Sequence, residues 1–153
     1  MPKSRDLSRA FSNHCHTMPH TLSIAHEAQA CAAILLACLR ANELDADAPN
    51  PVFYTTIKSR NVFIGHDADT LVAEASRLFD TVGNPEALID ASIEAIREPT
   101  RLPLFLHCLD VMFADGLVTP RENKVVQYLQ RKLKVDEELA WSAVEIILAK
   151  SRL

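Results

Sequence analysis

Residues Ala114-Asp115-Gly116-Leu117-Val118-Thr119-Pro120-Arg121-Glu122 constrain this chain more than any other stretch. An apolar segment, Leu102 to Phe113, runs into them, and a second periodic segment, Lys124 to Leu133, runs out. Thr119 and Glu122 have the Thr-x-x-Glu spacing of a capping box, in which the hydroxyl accepts from the third helical N–H and the carboxylate accepts from the N–H of the Thr. Pro120 takes the first helical position, where its missing donor costs nothing. Gly116 supplies the positive φ that stops the preceding helix without strain. The stretch predicts a tight helix–turn–helix corner with two carboxylates, Asp115 and Glu122, facing each other across it.

The rest of the chain is written in the same helical grammar. There are only 3 Gly, and no alternating run of β-branched and aromatic residues signals a strand. From Ser23, the residues Ile24, Ala28, Cys31, Leu35, Cys38 and Leu39 follow an i, i+3/i+4 stripe that Ala25, Ala32 and Leu36 widen, which predicts a central helix. Asn42 to Pro51 is an acidic, proline-containing loop, and a short helix follows through Lys58. Asp67 caps a helix from Ala68 to about Thr81, with Leu71, Ala75, Leu78 and Phe79 inward. Gly83-Asn84-Pro85 is a stop and restart for a helix over Pro85 to Ile96, which Glu98-Pro99-Thr100 closes. Thr100 to Ala114 reads as a second central helix, with Leu102, Phe105, Leu109 and Met112 at helical spacing. After the corner, Val125, Val126, Leu129 and Leu133 mark one face, and a last helix to about Lys150 turns Leu139, Ala140, Val144, Ile147 and Leu148 inward. The expectation is an all-α compact bundle of about seven helices in one domain, residues 21–153, behind a flexible tail, residues 1–20.

Charge and cysteine usage exclude several classes. A net charge of −4 provides no concentrated basic face for nucleic acid. No apolar run reaches the length of a membrane span, and the N-terminus lacks the apolar core of a secretory signal, so a cytoplasmic address is expected. The 4 Cys form no Cys-x-x-Cys pair, and Cys31, Cys38 and Cys108 lie in apolar helical stretches as small hydrophobes. His14-Cys15-His16 and His20 hold metal-ligand residue types, but no partner cluster elsewhere has matching spacing. Met18 offers a second starting residue that would remove most of this tail.

Catalytic signatures are missing. There is no phosphate-binding glycine loop, nucleophile elbow or two-His helix motif. His107 and Cys108 diverge by about 100° on a helix and cannot pair with each other. His66-Asp67 has the residue types of an acid/base pair, with a loop cap as the plainer role. His26 reads as a capping or solvent-facing residue, and Trp141 as a packing anchor or part of a partner patch.

Setting Ala41-Asn42 over Ala114-Asp115 aligns Leu35 with Cys108, Leu36 with Leu109 and Leu39 with Met112, an echo consistent with pseudo-repeated helical hairpins. The run Val111 to Lys124, with Ala-Asp-Gly-x-Val-Thr-x-x-Glu at its centre, resembles the tellurite-resistance TerB-like family over roughly Thr21 to Leu153. That resemblance implies a helical bundle without enzymatic activity and a role in stress or metal resistance. It also implies a protein partner, peripheral association with a membrane complex, and a divalent cation (calcium, magnesium or zinc) on Asp115 and Glu122. The N-terminal copy departs from the pattern, with Asn42-Glu43 in place of Asp-Gly and Pro49 in place of Glu. Capping alone explains the Thr119–Glu122 spacing, while a capping carboxylate keeps lone pairs for a cation. The second function class, a small metal-dependent hydrolase, would use the same carboxylates with a nearby His.

Overall fold

Every side chain from Ala28 to Cys38 is buried, so the first helix is enclosed on all sides. The computed structural model describes residues 24–41 and 50–153; the expected tail, with His14-Cys15-His16 and His20, and the loop at 42–49 lie outside the described residues. The helices are α1 (Glu27–Arg40), α2 (Pro51–Ser59), α3 (Ala68–Val82), α4 (Pro85–Ser92), α5 (Glu98–Met112), α6 (Pro120–Lys132) and α7 (Glu137–Ser151). The described residues thus form seven α-helices and no strand.

Small side chains make the enclosure of α1 feasible. Ala30, Ala32, Ala33, Ala37 and Cys38 are fully buried, and such short side chains let neighbouring backbones approach closely. α3, α4 and α5 pack directly on α1, with α2 beside it. Ile34, Leu35 and Leu36 fill the space between them, each gaining about 1.5–3 kcal/mol from burial. α6 packs on α4 and α5, and α7 packs on α5.

Side-chain caps set most of the helix starts. Asn50, Asp67, Asn84 and Asp136 each accept the N–H three residues on, as their residue types dictate. Asn50 does a second job: its amide donates to the Val111 carbonyl at 3.1 Å, tying the start of α2 to the end of α5. α1 starts at Glu27 rather than at Ser23, because His26 is the cap. Its Nδ1 accepts from Gln29 N–H at 3.1 Å, and the Gln29 Oε1 accepts from Ala25 N–H at 2.8 Å.

Further expectations from the sequence are corrected. The Pro85 helix is α-helical only to Ser92 and tightens into a 3-10 turn over Ile93–Ala95. Glu98-Pro99 opens α5 instead of closing α4, since a proline in the first helical turn forfeits no bond. Pro103 lies farther inside α5, where its absent N–H leaves the Pro99 carbonyl without its i+4 donor. Leu102 is 38% exposed and Leu139 46% exposed, so neither faces the core; the buried faces are carried by Leu104, Phe105 and Cys108, and by Ala140, Ala143 and Val144. α5 ends at Met112, and a turn over Phe113 to Asp115 precedes Gly116.

Ion pairs lace the outer helices together. Arg121 forks onto Glu86 at 2.7 and 2.8 Å, and Tyr128 and Lys132 both meet Asp90, at 2.6 and 3.2 Å. Glu86 and Asp90 are one turn apart on α4, so α6 is clamped along its length. Lys150 of α7 meets Asp110 of α5 at 2.5 Å.

Candidate functional site

The corner between α5 and α6 is built as its residue types require. Gly116 has φ +75°, and its N–H donates to the Phe113 carbonyl at 2.9 Å. The Asp115 Oδ1 accepts from Leu117 N–H at 3.0 Å, which closes a local turn. Glu122 N–H donates to the Thr119 hydroxyl at 3.1 Å, and Thr119 N–H donates to Glu122 Oε1 at 3.0 Å, a complete capping box.

The two candidate cation ligands lie in different environments. Glu122 is fully buried, with Oε1 committed to the α6 cap, whereas Asp115 is exposed at the surface of the turn. Among the described residues no group of three His, Cys, Asp or Glu side chains could hold a metal ion. Of the pair, only Asp115 is placed to meet a hydrated cation, whose other oxygens would come from turn carbonyls and water.

The remaining titratable candidates are engaged elsewhere. Asp67 accepts from the Thr70 hydroxyl at 2.8 Å and from Thr70 N–H at 3.0 Å, and these bonds lower its pKa. It therefore serves as the cap of α3, while its neighbour His66 stacks on His26 with ring centroids 4.6 Å apart. Cys108 is in hydrogen-bond contact with Cys38, and burial raises its pKa well above the ordinary thiol value. Burial pushes the Cys31 thiol up to about 12. Thiols held protonated in an apolar interior are poor nucleophiles.

Three surface features combine residues far apart in sequence. A cleft of about 510 Å³ is lined by His26, Glu27, Asn61, His66, Arg97 and Thr100. A second, of about 250 Å³, shares Asn61 and Thr100 with the first and opens beside Arg60 and His107. Burial, then the Arg60 charge, lowers the His107 pKa below its ordinary 6.5, with Asp110 pulling the other way. A third, of about 400 Å³, lies between α6 and α7 and includes Val126, Gln130, Arg131, Trp141 and Val144. The helical pattern gives no signal for the first two, because their walls come from three stretches far apart in sequence, 26–35, 56–66 and 97–107; Pro103 inside an apolar helix is a local irregularity.

α7 also presents apolar surface to solvent. Leu139 and Trp141 are each 46% exposed and Ile146 is 67% exposed. Leu139 and Ile146 are seven residues apart and so within about 20° of each other around the helix. Ser142 and Ala149 fall beside them at heptad positions, and Glu138 and Glu145 run parallel on one flank. No helix among the described residues is long and apolar enough to cross a membrane. In comparisons with protein-family models, curated proteins and solved structures, nothing matches this chain.

Proposed function

We infer that this protein is a non-enzymatic, TerB-like helical interaction module of a stress or metal-resistance system, which acts by docking a helix of a protein partner on α7. The observation that carries this reading is the exposed Leu139–Ile146 stripe, with small Ser142 and Ala149 at the alternate heptad positions. Large residues at one heptad position and small ones at the other accept a facing helix at close range. The acidic flank of Glu138 and Glu145 fits a partner helix with basic residues beside its apolar face. The sequence echo between Leu35–Asn42 and Cys108–Asp115, together with the Ala114–Glu122 motif, supports the TerB-like part of the reading.

Site-specific photocrosslinking tests it in the native cell. A photoreactive residue at position 146 is expected to capture a partner segment with apolar heptads and basic neighbours, and one at position 77 on α3 is not. Leu139→Glu should abolish the crosslink. No crosslink, or one to a second copy of this chain, overturns the reading. The cation arm is carried by Asp115 and is tested by titrating calcium, magnesium and zinc into wild type and Asp115→Ala. Heat that disappears in the variant supports it; equal heat, or none in wild type, removes that arm and leaves the docking arm standing.

A further inference from the structure

We propose that the cleft beside Arg60 is a binding site for a small aliphatic monocarboxylate, whose apolar body lies against Leu35, Phe63 and Leu104 and whose carboxylate meets the Arg60 guanidinium. The inference is independent of the α7 surface. The cleft is framed by α1, the end of α2, the 3-10 turn over Asn61–Phe63 and one face of α5. Its volume of about 250 Å³ exceeds the roughly 150 Å³ that encloses a benzene ring.

The charge at its edge selects the ligand. The Arg60 guanidinium makes no hydrogen bond or ion pair with any described residue, whereas Arg97, Arg121, Lys132 and Lys150 are each paired with a carboxylate. Glu27, the acidic side chain of the adjoining cleft, is fully engaged by Arg97 and Thr100 and does not neutralise Arg60. His107, which also lines the cleft, has its pKa lowered by burial and then by the Arg60 charge, against the opposing pull of Asp110, so its imidazole is available as a hydrogen-bonding group. Thr56 donates its hydroxyl to the Val52 carbonyl and competes for nothing. One planar cation matches one carboxylate, to which it presents two parallel N–H donors. A phosphate dianion would be left half neutralised, and an amine would be repelled. A neutral apolar ligand would gain the walls and forgo the charge-assisted bonds.

Calorimetric titration of the full chain with hexanoate, hexan-1-ol and hexylamine separates these cases. Hexanoate is expected to bind with Kd on the order of 1 mM, hexan-1-ol about tenfold more weakly or worse, and hexylamine without measurable heat. Arg60→Gln, at an exposed position, should bring hexanoate down to the affinity of hexan-1-ol while leaving hexan-1-ol binding and the thermal midpoint unchanged. Saturating hexanoate should also shift the NMR resonances of the His107 ring and leave those of His66 in place. Equal affinities for hexanoate and hexan-1-ol, no hexanoate binding up to about 10 mM, or wild-type hexanoate affinity in Arg60→Gln would each overturn the proposal.

Discussion

The carboxylate of Glu27, in the first turn of α1, caps α5 by accepting the backbone N–H of Arg97 at 2.7 Å. Arg97 is the N-cap residue of α5 and makes no capping bond of its own. Glu27 also accepts from the Arg97 guanidinium at 3.1 to 3.2 Å and from the Thr100 hydroxyl at 3.2 Å. In an ordinary capping box the acid at the third helical position serves the N-cap N–H. Here Thr100 holds that position, and an acid seventy residues away in sequence does the work. The two central helices are thus joined at their N-terminal ends by one side chain.

Glu27→Ala should cost about 2 kcal/mol, because it removes the acceptor for a cap N–H, a hydroxyl and a guanidinium at once. Glu27→Gln retains one acceptor oxygen and should cost about 1 kcal/mol. Arg97→Ala should cost less than either, since its side chain is 77% exposed and solvent screens the pair, while its backbone N–H remains. Urea unfolding of the three variants gives the order directly.

Acid should weaken the fold through the same bridge. Burial raises the pKa of Glu27, but hydrogen bonds from the Arg97 side chain and backbone and from Thr100 outweigh it, and the net shift is downward from 4.5. Glu86 is likewise lowered, by Arg121 against the opposing effect of burial. A carboxylate with a depressed folded-state pKa contributes fully above its unfolded value and loses that contribution as pH falls through the folded value. Stability should therefore fall below pH 4.5. The double variant Glu27→Gln/Glu86→Gln should be less stable at neutral pH and show a shallower fall in acid, read from urea midpoints across the range.

Gly116 and Gly65 form a matched pair for separating backbone strain from contact. Their φ values are +75° and +85°, but a Cβ on Gly116 would sit 3.3 Å from the Ser151 carbonyl oxygen, and one on Gly65 would meet nothing within 4 Å. Gly65→Ala should cost about 1 kcal/mol from the left-handed backbone alone. Gly116→Ala should cost more, because the turn must also move off the end of α7. Thermal unfolding of the two variants measures the difference.

Lys134 offers the opposite case, with φ +55° in a residue that has a Cβ. It follows α6 in a Schellman arrangement, with Val135 N–H donating to the Gln130 carbonyl at 3.1 Å and Lys134 N–H to the Arg131 carbonyl at 3.2 Å. Lys134→Gly should raise stability by about 0.5–1 kcal/mol by relieving the left-handed penalty. A lower melting midpoint would contradict it.

The helices and most of their starts follow from local sequence alone, because caps and periodicity act between residues three or four apart. Asn50, Asp67, Asn84, Thr119 and Asp136 each cap the helix that follows them in the chain. The same locality made the Thr119–Glu122 box legible, but not that Glu122 would be fully buried while Asp115 stays at the surface. Leu102 and Leu139 matched the helical stripe and still face solvent, because periodicity ranks the faces of a helix without saying which one meets a neighbour. It took the folded packing to show that Glu27 caps α5, that His26 stacks on His66, and that Arg60 stands at an apolar cleft whose lining, among the described residues, holds no acid. Those relations join residues tens of positions apart, and they exist only once burial has enclosed α1 and fixed which helix ends meet.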